Sequence, residues 1–253
     1  MKNPLHKLRR KGAPEETPWE EIAKKVRAFA AYRFIKGSGI EIGALHQPLH
    51  VYHRARVRYL DRLPTNEARK LHPELAGETF VPVDLIDDSE TLGTILDASC
   101  DFVIASHVLE HCRNPIGALE NMLRVLKPGG TVFLAVPDKR QTFDASRPVT
   151  SYEHIARDYR DGPESSDLQH FEEKTTRRPD QSETAAAEAR HFFAQRTNVH
   201  FHVWTTREII ELLQNVQRDF GFPFELEMIA RNGAELVIVL RKSGNCAGAE
   251  TRA

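Results

Sequence analysis

The segment spanning residues 101–137 constrains the fold most strongly, because its hydrophobic pattern changes twice. Residues 102–105 form a short apolar run, which is typical of a strand buried on both faces. Asn114 and Pro115 then begin a predicted helix, and its apolar stripe consists of Ile116, Leu119, Leu123 and Leu126. Residues 128–130 end that helix, and residues 131–136 form a second apolar strand. This order predicts a βαβ unit with parallel strands, in which ligands bind beyond the carboxyl ends.

Composition narrows the class of protein. The 253 residues carry a formal net charge of −1, with 40% hydrophobic and 28% charged residues, so the chain can bury one large core. The balanced charge gives no overall electrostatic case for nucleic acid as a partner. Three cysteines without a C-x-x-C pair argue against a disulfide framework and against a cysteine-based zinc site. Because the sequence has no long apolar stretch, it predicts a cytoplasmic protein without a membrane span.

Acidic residues follow the other predicted strands. A first strand brings Glu41 and then Gly43 into a turn, where glycine lets a ligand approach the backbone closely. A second strand, residues 55–60, ends at Asp61, whose carboxylate can accept hydrogen bonds from both hydroxyls of a ribose. The alternative is that Asp61 only caps the following turn. A third strand is predicted to end at Asp84.

The remainder of the chain predicts one domain with an insertion. Residues 1–16 are interpreted as a flexible basic tail, residues 17–243 as the domain, and residues 244–253 as a second flexible tail. Residues 139–203 interrupt the alternation of strands and helices. A connection of this length inside one domain predicts a lid over the binding site.

Three motifs in this order resemble the class I S-adenosyl-L-methionine-dependent methyltransferases, with a methyltransferase domain like type 11. They are the apolar strand at 102–104, Ser-His-Val-Leu-Glu-His at 106–111 and Arg-Val-Leu-Lys-Pro-Gly-Gly at 124–130. The resemblance implies a doubly wound, Rossmann-like α/β fold with a mostly parallel seven-stranded sheet, an antiparallel last strand and an acceptor-binding lid insertion. Asn-Gly at 232–233 agrees, because this pair favours a hairpin between strands. The implied cofactor is S-adenosyl-L-methionine.

The resemblance also implies cofactor-binding residues near the strand ends. In this family an acidic residue precedes a Gly-x-Gly-x-Gly loop, but here only Gly43 matches, because residues 44–48 are Ala-Leu-His-Gln-Pro. An acidic residue after the third strand receives the adenine amine in the family, which points to Asp84 and the backbone of Leu85. The predicted cofactor-binding residues are Glu41, Gly43, Ala44, Asp61, Asp84, Leu85 and Ser106.

Histidines beyond the fourth strand are the predicted catalytic residues. Methyl transfer requires an acceptor in line with the methyl group, and a hydroxyl acceptor must also lose its proton. Histidine suits that task near neutral pH, so His107, His111 and, from the lid, His202 are candidate bases. The alternative for each is a histidine bonded to the backbone near the cofactor. These residues favour a small-molecule acceptor, with an oxygen of a saccharide or metabolite preferred, and the sequence does not indicate the oligomeric state.

Three other functions compete with this prediction. Residues 107–111 spell the H-x-x-E-H pattern of some zinc hydrolases, but that chemistry needs both histidines on one helical face, and here the motif adjoins a buried strand. A non-catalytic module that binds S-adenosyl-L-methionine would explain the missing loop glycines. A dinucleotide-dependent oxidoreductase would need a different glycine loop. The sequence therefore predicts a methyltransferase without a metal.

Overall fold

The computed structural model describes residues 18–52, 54–166, 170–173, 189–191, 194 and 199–244, and only the backbone of residues 18–24 and 165. The strands are β1 Gly37–Ile42, β2 Ala55–Asp61, β3 Leu85–Ile86, β4 Cys100–Ser106, β5 Leu126–Pro137, β6 Phe224–Asn232 and β7 Glu235–Lys242. The helices that matter for the site are α1 Pro18–Phe34, α2 Thr65–Leu71, α3 Pro115–Val125, α4 Tyr152–Asp161 and α5 Thr206–Phe220.

The seven strands form one sheet in the order β3-β2-β1-β4-β5-β7-β6. β1 to β5 pair in parallel, whereas β7 runs antiparallel to both β5 and β6. The turn from β6 to β7 contains Gly233, whose φ of 61° lies in the left-handed region that favours glycine. The predicted α/β fold, with a mostly parallel sheet and a reversed last strand, is confirmed.

The predicted βαβ unit is present as β4, α3 and β5. Asn114 caps α3, since its side-chain oxygen accepts a hydrogen bond from the Gly117 N–H at 2.9 Å, and Pro115 is the first helical residue. α3 ends one residue before the predicted end of its stripe, because Leu126 already pairs with Cys100 across the sheet. β5 therefore includes the Pro-Gly-Gly segment that the sequence presents as a helix stop.

The position predicted for the third strand is wrong. β3 begins after Asp84, whereas the sequence predicts that it ends there. The Asp84 carboxylate accepts a hydrogen bond from the Tyr59 N–H at 2.8 Å, and the Asp84 N–H donates to the Tyr59 carbonyl at 2.8 Å. Asp84 thus extends the ladder along β2. The carboxyl end of β3, where ligands bind in such sheets, presents Asp87 and Asp88.

Helices cover both faces of the sheet. The larger core lies beneath α3, α4 and α5 and contains Val103 of β4. On the opposite face, Ala30 and Ala31 of α1 belong to a second core with Phe102 and Phe133. The neighbouring residues Phe102 and Val103 therefore belong to different cores, as expected for a strand buried on both faces.

The connection between β5 and α5 is described in part. α4 begins after Ser151, whose side chain accepts a hydrogen bond from the His154 N–H at 3.3 Å. Residues 199–204 lie against the loop after β4, where the Phe201 N–H donates to the Glu110 carbonyl at 2.8 Å. The predicted tail at 1–16 and most of the tail at 244–253 lie outside the described residues, as does part of the predicted lid. No helix among the described residues is both long and apolar enough to cross a membrane.

Candidate functional site

Glu41 lies beneath the loop that follows β1. The residue is 1% exposed, and its Oε1 accepts a hydrogen bond from the Leu49 N–H at 2.7 Å. Burial raises the pKa of Glu41 to about 7, although the Leu49 hydrogen bond and the charge of Arg27 act in the opposite direction. Its Oε2 is buried and has no hydrogen-bond partner among the described residues. Glu41 is therefore placed to support the loop from below.

Gly43 turns the chain at the end of β1. Its φ is 65°, and a Cβ at this position would lie 3.5 Å from Val108 Cγ2, an ordinary contact. A side chain would therefore fit in the space at this position. The positive φ, and not a lack of space, is the reason that glycine is favoured here. Leu45 also has a positive φ of 47°, which is uncommon for a residue with a side chain. The loop therefore keeps left-handed backbone at two positions where the family resemblance predicts glycine.

Asp61 borders a small cleft at the end of β2. The lining of this cleft includes Ala44, Leu45, Asp61, Thr65, Phe80 and Val81. Asp61 Oδ1 accepts a hydrogen bond from the Leu63 N–H at 3.2 Å, so the turn-capping alternative is present. Asp61 Oδ2 makes no hydrogen bond to the described residues. One carboxylate oxygen can therefore cap the turn while the other meets a ligand.

The predicted adenine residues do not line this cleft. Asp84 is exposed and bonded along β2, as described above, and Leu85 is half-buried. Asp87, at the carboxyl end of β3, accepts hydrogen bonds from the Thr94 hydroxyl at 2.7 Å and from the Gly93 N–H at 3.2 Å. The Asp87 carboxylate therefore organises its own loop.

The end of β4 combines an unpaired hydroxyl with a sharp turn. Ser106 Oγ is buried and has no hydrogen-bond partner among the described residues. The next residue, His107, has a positive φ of 55°, which costs a residue with a side chain about 1–2 kcal/mol. Such strained positions cluster at functional sites. The turn is fixed by the His107 N–H, which donates to the Ala135 carbonyl at 2.8 Å.

His107 joins a network of four charged groups. Its Nε2 lies 2.7 Å from Glu235 Oε2, and its Nδ1 lies 3.3 Å from Glu110 Oε1. Arg27 donates two hydrogen bonds to Glu235, at 2.7 and 2.5 Å. Burial acts to lower the pKa of His107, but Glu110 and Glu235 outweigh burial and raise the pKa to about 9. Because a protonated imidazole accepts no proton, this geometry does not favour His107 as a general base.

This network predicts a stability that depends on pH. The pKa of His107 is raised from 6.5 to about 9, so its stabilisation is complete below pH 6.5 and is lost as the pH rises through about 9. The pKa of Glu235 is lowered from 4.5 to about 2, so its stabilisation is lost only as the pH falls through about 2. We expect the wild type to be more stable to unfolding than His107→Asn at about pH 6, and we expect this difference to be smaller at about pH 10. Urea unfolding at both values measures this, and an unchanged difference would contradict the network.

His111 points to a different partner from His107. It ends a short 3₁₀ helix, Leu109–His111, and its Nδ1 donates to the Val199 carbonyl at 2.9 Å. Since the carbonyl can only accept, Nε2 carries the lone pair when the ring is neutral. His107 instead binds Glu235, so the H-x-x-E-H run does not present its two histidines to one point. The helical arrangement of a zinc hydrolase is therefore not formed by these residues.

His200 forms an aspartate–histidine pair that sequence reasoning missed. Its Nδ1 lies 2.7 Å from Asp144 Oδ2, and the Asp144 residue is 1% exposed. Arg147 donates to Asp144 Oδ1 at 3.1 Å and to the His200 carbonyl at 2.8 Å. Burial acts to raise the pKa of Asp144, but the hydrogen bonds from His200 and Arg147 outweigh it and lower the pKa. The His200 ring packs edge-on against His111, with centroids 4.7 Å apart.

His202, the base predicted from this segment, is enclosed. The residue is fully buried, its Nε2 donates to the Arg113 carbonyl at 3.1 Å, and its ring stacks on Trp204. Burial lowers its pKa well below the usual value. The alternation of histidines at 200 and 202 indicates the correct segment, but His200 is the one beside His111. No spacing in the sequence relates His200 to Asp144, because the two are far apart along the chain.

Comparisons with known proteins agree with this architecture. The family described as a methyltransferase domain matches residues 15–218. Similar solved structures include a methyltransferase dependent on S-adenosylmethionine from Aquifex aeolicus, at 14% identity, covering 87% of this chain and 88% of that chain, with a TM-score of 0.46. Another is the N-methyltransferase NodS from Bradyrhizobium japonicum, in complex with S-adenosyl-L-homocysteine, at 12% identity, 90% and 89% coverage and a TM-score of 0.47.

A third structure, from Rhodobacter sphaeroides, is described as a zinc-dependent alcohol dehydrogenase; its identity is 16%, its coverage 87% and 90%, and its TM-score 0.51. At such identities the likeness shows the fold alone. No curated protein sequence matches the chain. The family match covers most of the chain and agrees with the sheet order and the motifs around β4 and β5. The chain therefore belongs to the methyltransferase-domain family.

Proposed function

We propose that this methyltransferase acts on a small molecule and methylates a hydroxyl oxygen, as on a saccharide or another metabolite. The observation that carries the oxygen preference is the 2.7 Å contact between Asp144 Oδ2 and His200 Nδ1. An ionised carboxylate bound to Nδ1 keeps the proton there, so that Nε2 holds the lone pair of the neutral ring. His200 is then oriented to receive a proton from an acceptor hydroxyl.

The cofactor is proposed to lie across the carboxyl ends of β1, β2 and β4. Asp61 Oδ2 would accept hydrogen bonds from the ribose hydroxyls, while Gly43 and Ala44 let the ligand approach the backbone. Several buried polar atoms in this region have no hydrogen-bond partner among the described residues, among them Glu41 Oε2, His46 Nδ1 and Ser106 Oγ. Buried polar groups are normally paired, so such atoms support a ligand site here. The donor and acceptor types therefore fit an adenosine-containing cofactor.

Chemistry at this site divides between cofactor and protein. When bound, S-adenosyl-L-methionine would supply a methyl group on a positively charged sulfur, and the sulfur would leave as the neutral thioether of S-adenosyl-L-homocysteine when the acceptor oxygen takes the methyl group. The protein must hold the acceptor oxygen in line and exclude water, which is the main contribution expected of positioning. The hydroxyl proton would pass to His200 Nε2, and Asp144 would stabilise the resulting imidazolium. His111, whose ring touches that of His200, would shape the acceptor side of the site.

The cofactor part of the proposal is tested by Asp61→Asn. Losing the charge should weaken the hydrogen bonds to the ribose and lower the affinity for S-adenosyl-L-homocysteine about 10- to 100-fold, measured by calorimetry. Asp97→Asn is the matched control, because Asp97 is an exposed residue that precedes β4, at the opposite edge of the sheet. Equal affinity in wild type and Asp61→Asn would show that Asp61 only caps its turn.

A further inference from the structure

Three histidines from separate parts of the insertion meet inside the protein. His154 lies on α4, His170 on the helical segment 170–173, and His202 on the segment that leads into α5. Their ring centroids lie 4.8 to 5.8 Å apart, and each offers a nitrogen within 4.8 Å of the others. None of these contacts can be anticipated from spacing, because the three residues are separated by loops and helices.

The cluster is buried and incompletely hydrogen-bonded. His202 is fully buried and His170 is 2% exposed, yet the Nδ1 atoms of both have no hydrogen-bond partner among the described residues. Asp158 is also fully buried, and its Oδ2 has no hydrogen-bond partner among the described residues. That atom lies 3.0 Å from His154 Nε2 without the alignment of a hydrogen bond. Several orphaned polar atoms in one buried place require an explanation, and an ion is one.

The distances suit a tetrahedral metal ion. Zinc binds histidine nitrogen at about 2.0–2.1 Å, so two nitrogens at a tetrahedral angle lie about 3.3 Å apart. The Nε2 atoms of His154 and His170 are 3.3 Å apart. His154 and Asp158 occupy positions i and i+4 of α4, which brings both side chains to one face of the helix.

The surrounding contacts orient the donors. His202 Nε2 donates to the Arg113 carbonyl at 3.1 Å, which leaves its lone pair on the unpartnered Nδ1. The Ser166 hydroxyl donates to Asp158 Oδ1 at 2.6 Å, which leaves Oδ2 for another partner. Hydrogen bonds of this kind from the second nitrogen or oxygen are usual for metal ligands.

We propose that His154, His170 and His202 form a binding site for a divalent transition metal, with zinc preferred. Three imidazoles are a donor set that zinc accepts, and the Asp158 carboxylate beside His154 would offset part of the charge of the ion. The ion would connect α4, residues 170–173 and residues 199–204 through their histidine side chains. It would have a structural role, separate from the Asp144–His200 pair.

A bound metal ion would add stability that the small apolar cluster of the insertion does not supply. The insertion's described apolar cluster away from the main core is small and consists of Phe171, Ala189, Val199 and Phe201. A small core gives little stabilisation, and metal binding adds directly to folding in such cases. The N–H groups of Phe201 and His202 also donate to the Glu110 carbonyl, so the metal ion would hold residues 199–204 against the loop after β4.

Metal analysis of the full-length protein tests the proposal. We expect about one zinc per chain in wild type and in His72→Ala, whose histidine is paired with Glu74 outside the cluster. His154→Ala and His170→Ala should lose most of the metal, and chelation of wild type should lower its melting temperature. The cobalt form should show the visible absorption of a tetrahedral ion. His170→Cys should add a sulfur-to-cobalt charge-transfer band, which identifies the ligand even if other variants fold poorly.

Two results would overturn this site. The first is the absence of bound metal in wild type, both as purified and after incubation with zinc or cobalt. The second is loss of the metal in His200→Ala with retention in His170→Ala. The ion would then belong to another potential group, Glu110, His111 and His200. The first result would leave the proposed function untouched, whereas the second would place the metal on His200 and would also count against His200 as the base.

Discussion

Replacing His200 with alanine is expected to lower the rate of methyl transfer to a hydroxyl acceptor by about 10²- to 10⁴-fold, the usual contribution of a general base. Binding of S-adenosyl-L-homocysteine should be unchanged, because His200 is assigned to the acceptor side. Asp144→Asn should reproduce much of the loss, since an amide holds the Nδ1 proton of the imidazole less firmly and stabilises the imidazolium less than a carboxylate. Production of S-adenosyl-L-homocysteine with a panel of hydroxylated small molecules measures the rate.

The control for His200→Ala is His50→Ala. His50 is exposed and packs against Tyr52 in the loop before β2, so its removal should leave the rate within about threefold. Metal content must also be compared, because His200 is close in sequence to His202. A His200→Ala variant that keeps its metal and its full rate would contradict the assigned base. It would favour an acceptor that needs no proton removal, such as a neutral amine.

Replacing Glu235 with alanine is expected to lower the free energy of unfolding by less than the about 3–5 kcal/mol of a fully buried ion pair, because Arg27 and His107 are partly exposed, but by more than the about 1 kcal/mol of an exposed pair. Glu235 accepts hydrogen bonds from Arg27, His107 and Asn232, the last at 2.6 Å. It thereby connects α1 and the loop after β4 to the first residue of β7. Removal would leave the charges of Arg27 and His107 without their shared carboxylate. Urea unfolding monitored by circular dichroism measures the change.

Glu227→Ala is the matched control for Glu235→Ala. Glu227 lies on β6 and pairs with Arg241 of β7, but both side chains are about one-third exposed. Exposed ion pairs contribute only about 0–1 kcal/mol, so this variant should stay near wild type. If both glutamate variants lost the same small amount, the His107 network would not be a stabilising element.

The sequence is sufficient to predict the central part of the fold because the relevant signals are local. The change of hydrophobic period around Asn114 and Pro115 specifies a strand and then a helix, and both residues lie where capping requires. The Asn-Gly pair before β7 specifies its hairpin in the same way. These elements place the loops after β1, β2 and β4 at one edge of the sheet, which identified the region of the site.

The errors arise where distant groups decide the local structure. Asp84 has the sequence context of an acidic residue at the end of a strand, but its carboxylate accepts a hydrogen bond from the Tyr59 N–H of β2. The Asp144–His200 pair likewise joins residues far apart in sequence. Side chains that satisfy remote backbone groups leave no periodic signal in the sequence.

Determining the structure of the full-length protein with S-adenosyl-L-homocysteine bound tests the account most directly. The account predicts that Asp61 binds the ribose hydroxyls and that the sulfur faces the loop after β4, with a cavity between the sulfur and His200. A cofactor that does not contact Asp61, or a sulfur that points away from His111 and His200, would contradict it.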